Sequence, residues 1–229
     1  MNSTIRTAGS FDKVLASCKQ IGERYQPKAR ELSIAAMSGL FERSQQTMKA
    51  VITKQAAHRI ATFNRRESFD ELPGLAVRIA RMLSTLSIPE DKLAAIVSLK
   101  NQLRASRRKK REMPNEEPVA EQKRGASIRH FDAQIRIFEK MVQVLKAIGG
   151  YDPNEADLKL STLQSKVADL QSKCQAVVEA EAALDDARTK RDQVFHGPKG
   201  MTRTMRAAKD YVRSVFGFAS PEATRMTKA

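Results

Sequence analysis

Tryptophan is absent from this 229-residue chain, and aromatic residues of all kinds make up only 5% of it. Glycine and proline are also sparse, at 10 and 8. Sandwiches and barrels need many turns and aromatic-rich strands, so this profile argues against them and for long helices. The two cysteines, Cys18 and Cys174, lie far apart, with no second thiol or histidine at metal-ligand spacing. Neither a disulfide framework nor a zinc site is indicated, and both are expected to be small buried hydrophobes. No stretch approaches the ~18 consecutive apolar residues of a membrane span. The opening residues, MNSTIRTAGSFDKV, hold no apolar run of the kind a secretory signal uses, which makes the cytoplasm the expected location.

Positive charge is abundant. Lys and Arg number 41 against 26 Asp and Glu, a net charge of +15 and a pI near 10.1. Hydrophobic residues make up 41% and charged residues 29%, enough apolar material for a core in one domain or two small ones.

The chain carries a candidate internal repeat, a feature that constrains architecture more than any single propensity does. A shift of 126 places sets Tyr25 and Pro27 on Tyr151 and Pro153, Leu32 on Leu158, and Ile34 and Met37 on Leu160 and Leu163. Without a gap it continues through Phe41 on Val167, Gln45 on Gln171 and Met48 on Cys174, then Arg65, Phe69 and Gly74 on Arg191, Phe195 and Gly200. Phe11 and Asp12 pair with Phe131 and Asp132 at a shift of 120, and Pro89 and Glu90 resemble Pro221 and Glu222 at a shift near 132. Two small insertions in the second copy explain both changes.

Apolar positions Leu160, Leu163, Val167, Leu170, Cys174, Val177 and Leu184 step by three and four, one stripe of a helix near the coiled-coil period. The stretch 154–194 has no internal Pro or Gly and reads as one helix of ~40 residues, about 60 Å long. Its partner covers 28–66. Pro27 and Pro153 precede these helices, Asn154 is the expected N-cap of the second, and Pro73-Gly74 and Gly197-Pro198 are expected to end them. Each copy then reads as a short helix A, a long helix B and a shorter helix C: 10–24, 28–66 and 75–87, then 129–148, 154–194 and 201–217. Gly149-Gly150 closes the second helix A. Pro89, Glu90 and Asp91 open an additional helix with Leu93, Ile96, Val97, Leu99 and Leu103 apolar. The expected fold is all-α, an elongated helical bundle built from an internal duplication, with the two B helices packed together and A and C on the flanks. The expected segments are 1–103 for the first repeat plus the bridging helix, 104–127 for a basic junction and polar linker, and 128–229 for the second repeat.

By segment the charge is +7 over 1–100, +6 over 101–111, −2 over 112–124 and +4 over 125–229. The focus is Arg104, Arg107, Arg108, Lys109, Lys110 and Arg111, six cations with no acid between them. Such a cluster can neutralise phosphates and release condensed counterions, giving salt-sensitive binding to DNA, RNA or a ribosome without sequence readout. It can equally be a solvated stretch that complements a helix C-terminus. An anionic membrane and an acidic protein are further partners it would suit. Base stacking is not expected to dominate, because no aromatics interleave the cluster.

The last long segment, Met201 to Phe218, is amphipathic and basic, with Met205, Ala208, Tyr211, Val212, Val215 and Phe216 on one side. It could lie on a membrane or serve as a ligand for a partner helix. The first copy has Leu75, Ile79, Met82, Leu83 and Leu86 at the corresponding helix, so both apolar faces read as core.

Catalytic chemistry is thin. None of His58, His130 and His196 belongs to a metal-binding helical pattern, and His58 falls on Leu184 in the repeat, a packed position. Glu179, Glu181, Asp185 and Asp186 form an acidic patch with Arg188, Lys190 and Arg191 in pairing distance, which reads as a salt-bridged face. Phosphate-cradling glycine loops and nucleophile motifs are missing, so no enzyme activity, cofactor or metal is expected.

The repeated Tyr-x-Pro, the run from Ala187 to Phe195, and the run from Tyr211 to Glu222 resemble a bacterial family of duplicated helical-hairpin proteins with a basic, Pro-containing linker. The resemblance covers most of the chain. It implies the helical fold and a bacterial cytoplasmic setting, and carries over no activity, ligand or site. Two functional readings remain: a non-enzymatic basic protein that contacts nucleic acid or a ribonucleoprotein through Lys/Arg–phosphate pairs, and a structural scaffold that meets other proteins or itself.

Overall fold

The computed structural model describes residues 2–86, 88–111 and 120–228, with side chains placed for 3–86, 88–105 and 130–227. Among the described residues there is no strand, and the chain is an all-α helical bundle. In order the helices are α1 (Asn2–Ile21), α2 (Ile34–Asp70), α3 (Leu72–Ser84), α4 (Glu90–Arg111), α5 (Ala120–Lys146), α6 (Leu160–His196), α7 (Met201–Phe216) and α8 (Pro221–Lys228). Single 3-10 turns at Gly22–Arg24 and Arg30–Leu32 separate α1 from α2. Among the described residues no helix is long and apolar enough to cross a membrane.

The two long helices, α2 and α6, each have 37 residues, but both start later than the positions of Pro27 and Pro153 predict. In each case a tyrosine holds the preceding segment out of the helix. The Tyr25 hydroxyl donates to the Leu32 carbonyl at 2.9 Å, and the Tyr151 hydroxyl donates to the Leu158 carbonyl at 2.7 Å. Only beyond these closed loops can the chain begin regular i→i−4 bonding. Ser33 then caps α2, its Oγ accepting from the Ala36 N–H at 3.2 Å. Asn154 lies ahead of α6, so the N-cap role expected of it is not realised.

Proline also acts differently from the expectation at the other end of α2. That helix runs to Asp70, and Pro73 sits in the first turn of α3, where the N–H it lacks would have had no intrahelical partner. Pro73-Gly74 therefore starts a helix and does not end one. Gly197 does close α6, its N–H donating to the Gln193 carbonyl at 2.9 Å. Gly200 is required there by close approach: a Cβ would lie 2.8 Å from the Gly197 nitrogen and 2.9 Å from the Val194 carbonyl oxygen. After α5 the chain reverses through Gly150 at φ +89°, a left-handed conformation that glycine adopts without a Cβ clash.

Two compact units emerge, one formed by Met1–His58 with Glu181–Ala229 and the other by Arg59–Ala180. Their basis is contact, so they differ in kind from the sequence segments 1–103, 104–127 and 128–229. The first unit holds α1, α7, α8 and parts of both long helices. Its core gathers Phe11, Val14, Cys18, Met37, Phe195 and Val212, with Tyr25 set edge-on to Tyr211 at 5.4 Å. Val51 of α2 also packs with Leu184 and Ala187 of α6, a contact between the long helices as the apolar stripes predict.

In the second unit α4 packs between α3 and α5 through Ile96 and Leu103, both buried. Phe69, Leu83, Phe138, Met141, Leu163 and Leu170 complete that core. Helix α4 continues through 104–111, and α5 begins at Ala120 where a polar linker was expected, ahead of the predicted start at 129.

Candidate nucleic-acid interface

Helix α7 presents two opposed faces. Met201, Thr204, Ala208 and Val212 are buried, a three-, four-, four-residue rhythm that fixes which side meets the core of the first unit. With that side fixed, Arg203 and Arg206 fall on the opposite side, Lys209 and Arg213 lie on the flank, and Lys199 precedes them in the same register. Lys199, Arg203 and Arg206 are exposed, while Lys209 and Arg213 are half-buried. Three of these cations, Lys199, Arg203 and Arg206, line a shallow concavity of ≈ 360 Å³ together with Thr204, Glu31 and Asp210.

The stripe is under-neutralised. Asp210 lies 3.5 Å from Arg213, and among the described residues no ion pair is formed by Lys199, Arg203, Arg206 or Lys209. Burial, and secondarily the Arg213 guanidinium, hold the Lys209 ammonium below its ordinary pKa. Beyond the helix, Arg213 stacks on Phe218 at 5.1 Å from the ring centre, and that ring is 78% exposed. Arg24 stacks on Phe216 at 4.7 Å and pairs with Glu222 at 3.3 Å.

The whole first unit is basic: it holds 19 Lys and Arg against 10 Asp and Glu, a net +9, while the second unit holds 22 against 16, a net +6. The sequence-level focus belongs to the second unit. Arg104 is exposed near the end of α4. Arg107, Arg108, Lys109, Lys110 and Arg111 continue the same helix, and their side chains lie outside the described residues.

Sequence reasoning placed Met205, Ala208, Tyr211, Val212 and Phe216 on the core side of α7 as observed, but Val215, expected there too, is 51% exposed, and the basic face was left ungathered. The signal was the step of four, three, three and four from Lys199 to Arg213.

The other candidate chemistry resolves into structural contacts. Asp185 pairs with Arg188 at 2.9 Å, Asp186 pairs with Lys190 at 2.7 Å, and Glu179 accepts from the Gln175 amide at 3.0 Å. His58 is half-buried, His130 Nε2 lies 2.7 Å from the Gln134 amide nitrogen, and His196 is exposed at the end of α6. Cys18 is buried as expected, whereas Cys174 is only half-buried. Burial raises both thiols above their ordinary pKa, and for Cys174 this outweighs the nearby Arg65 guanidinium, so neither is an activated thiolate.

No protein-family model, curated protein or solved structure matches this chain.

Proposed function

We propose that this protein is a non-enzymatic, basic helical protein that binds nucleic acid or a ribonucleoprotein surface through phosphate-directed Lys and Arg side chains. The observation that carries the reading is the stripe from Lys199 to Arg213, in which only Arg213 has an acidic partner among the described residues, set on a helix whose other face packs into the core. Cations at helical spacing on a firm support lose little conformational freedom when they meet a line of phosphates, and the released counterions supply the driving force. Arg104, Arg107, Arg108, Lys109, Lys110 and Arg111 are a second contact on the same proposal. Base-specific readout has no part in it.

The expected behaviour is binding to duplex DNA and structured RNA alike, with affinity falling steeply with salt. Fluorescence anisotropy of labelled duplexes across a salt series measures it. A wild-type slope near zero, or no binding at low salt, overturns the proposal.

The scaffold reading has one specific observation in its favour. In the second unit Ile60 and Phe63, three residues apart on one face of α2, are 61% and 63% exposed. Concentration-dependent self-association, abolished by Ile60→Ser with Phe63→Ser and unaffected by neutralising the cations, would replace phosphate binding by assembly as the working function.

The internal duplication belongs to the same proposal. Two 37-residue helices, each preceded by a tyrosine bonded to the carbonyl seven residues on, are what a duplicated ancestral hairpin would leave behind.

A further inference from the structure

The second unit contains a groove of ≈ 970 Å³ walled by α4, α5 and α6. Its size falls in the ~300–1,000 Å³ range of small-molecule clefts. It is open because Ala95, Ser98 and Ala168 contribute short side chains to the walls, while Leu99, Val142 and Val167 supply an apolar floor. Along α5 the lining runs from Arg136 to Val144, about 12 Å at 1.5 Å per residue.

Its charge is sorted along that length. Arg136 and Lys140, one helical turn apart, occupy the leading half of the α5 stretch, before Val142 and Val144. Both cations are exposed, and among the described residues neither makes an ion pair. The acid between them, Glu139, accepts from the Gln171 amide at 2.7 Å and keeps its charge, so the cations outnumber it two to one. A groove with an apolar floor and two unpaired cations in one half of its α5 wall complements a ligand with an apolar body and one anionic head.

We infer that this groove binds an organic anion with an extended apolar chain, its carboxylate or phosphate head between Arg136 and Lys140 and its chain along Leu99, Val142 and Val167. Nothing in this site draws on the α7 stripe, so it stands or falls separately from phosphate binding.

The test is calorimetric titration of the full chain with three ten-carbon probes below their micelle-forming concentrations: decanoate, neutral decanol and cationic decyltrimethylammonium. Decanoate is expected to bind saturably at one site, about tenfold or more tighter than either comparator. Ala168→Trp fills the groove, and Arg136→Gln with Lys140→Gln removes the head contacts. Each is expected to weaken decanoate about tenfold. Should Ala168→Trp fail to fold by circular dichroism, the double Gln variant alone decides, since both of its positions are exposed. Neutralising Arg203, Arg206 and Lys209 should leave decanoate binding unchanged. Equal affinity for the three probes, no saturable binding, or loss only in the α7 variant would overturn the inference.

Discussion

The Tyr25 hydroxyl bonds the Leu32 carbonyl at 2.9 Å from a buried position, and so sets where the long helix α2 can begin. Tyr25→Phe keeps the ring and its edge-on contact with Tyr211 but leaves that carbonyl without its donor. The expected cost is about 1–3 kcal/mol, the range for a buried group left unsatisfied. Urea unfolding of the variant measures it, and an unchanged midpoint would mean that the ring alone positions the loop.

Tyr151 carries a pH signature. Burial, with added repulsion from Asp157 and Glu155, pushes its hydroxyl up to about 12. In the unfolded chain it titrates near ~10. A folded-state pKa raised above the unfolded value gives stability that is complete below the unfolded pKa and lost as pH rises toward the folded one. Stability should therefore decline between about pH 10 and 12. Tyr151→Phe should flatten part of that decline, measured as the melting temperature across alkaline buffers. Identical alkaline profiles would show that other groups account for the loss.

Gly74 and Gly200 lie 126 positions apart, and their surroundings predict opposite responses to alanine. At Gly200 the new Cβ meets backbone at 2.8 and 2.9 Å, and backbone cannot step aside cheaply. A loss of about 1–3 kcal/mol is expected, as for other overpacked sites. At Gly74, inside the first turns of α3, nothing lies within 4 Å of the added carbon. Alanine there should stabilise by about 0.5–1 kcal/mol through helix propensity. Thermal melts of the two variants check the pair, and a shift of the same sign in both would contradict it.

Much of the helical order was legible in the sequence, for identifiable reasons. The three- and four-residue stepping of Leu160, Leu163, Val167 and Leu170 needs only local periodicity, and each of these residues is at least half-buried. Pro89 with Glu90 and Asp91 marked the start of α4 because proline ahead of acidic residues suits a helix N-terminus. Boundaries failed where a tertiary contact overrode local propensity, as at Tyr25 and Tyr151. Composition into compact units was not readable, since no periodicity says that Phe11 and Phe195 share a core. The α7 stripe was half legible. Its cations were visible in the sequence, but their alignment acquires meaning only once Met201, Thr204, Ala208 and Val212 fix the inner face.

The most direct test of phosphate binding compares wild type with Arg203→Gln/Arg206→Gln/Lys209→Gln on one labelled duplex, by anisotropy across a salt series. Arg203 and Arg206 are exposed and Lys209 is half-buried on the flank of α7, and circular dichroism verifies that the variant keeps its helices. Three lost phosphate contacts should flatten the slope of log affinity against log salt by about 2–3. Binding should weaken uniformly across duplex sequences. An unchanged slope in the triple variant would contradict the account and remove the α7 stripe from the interface.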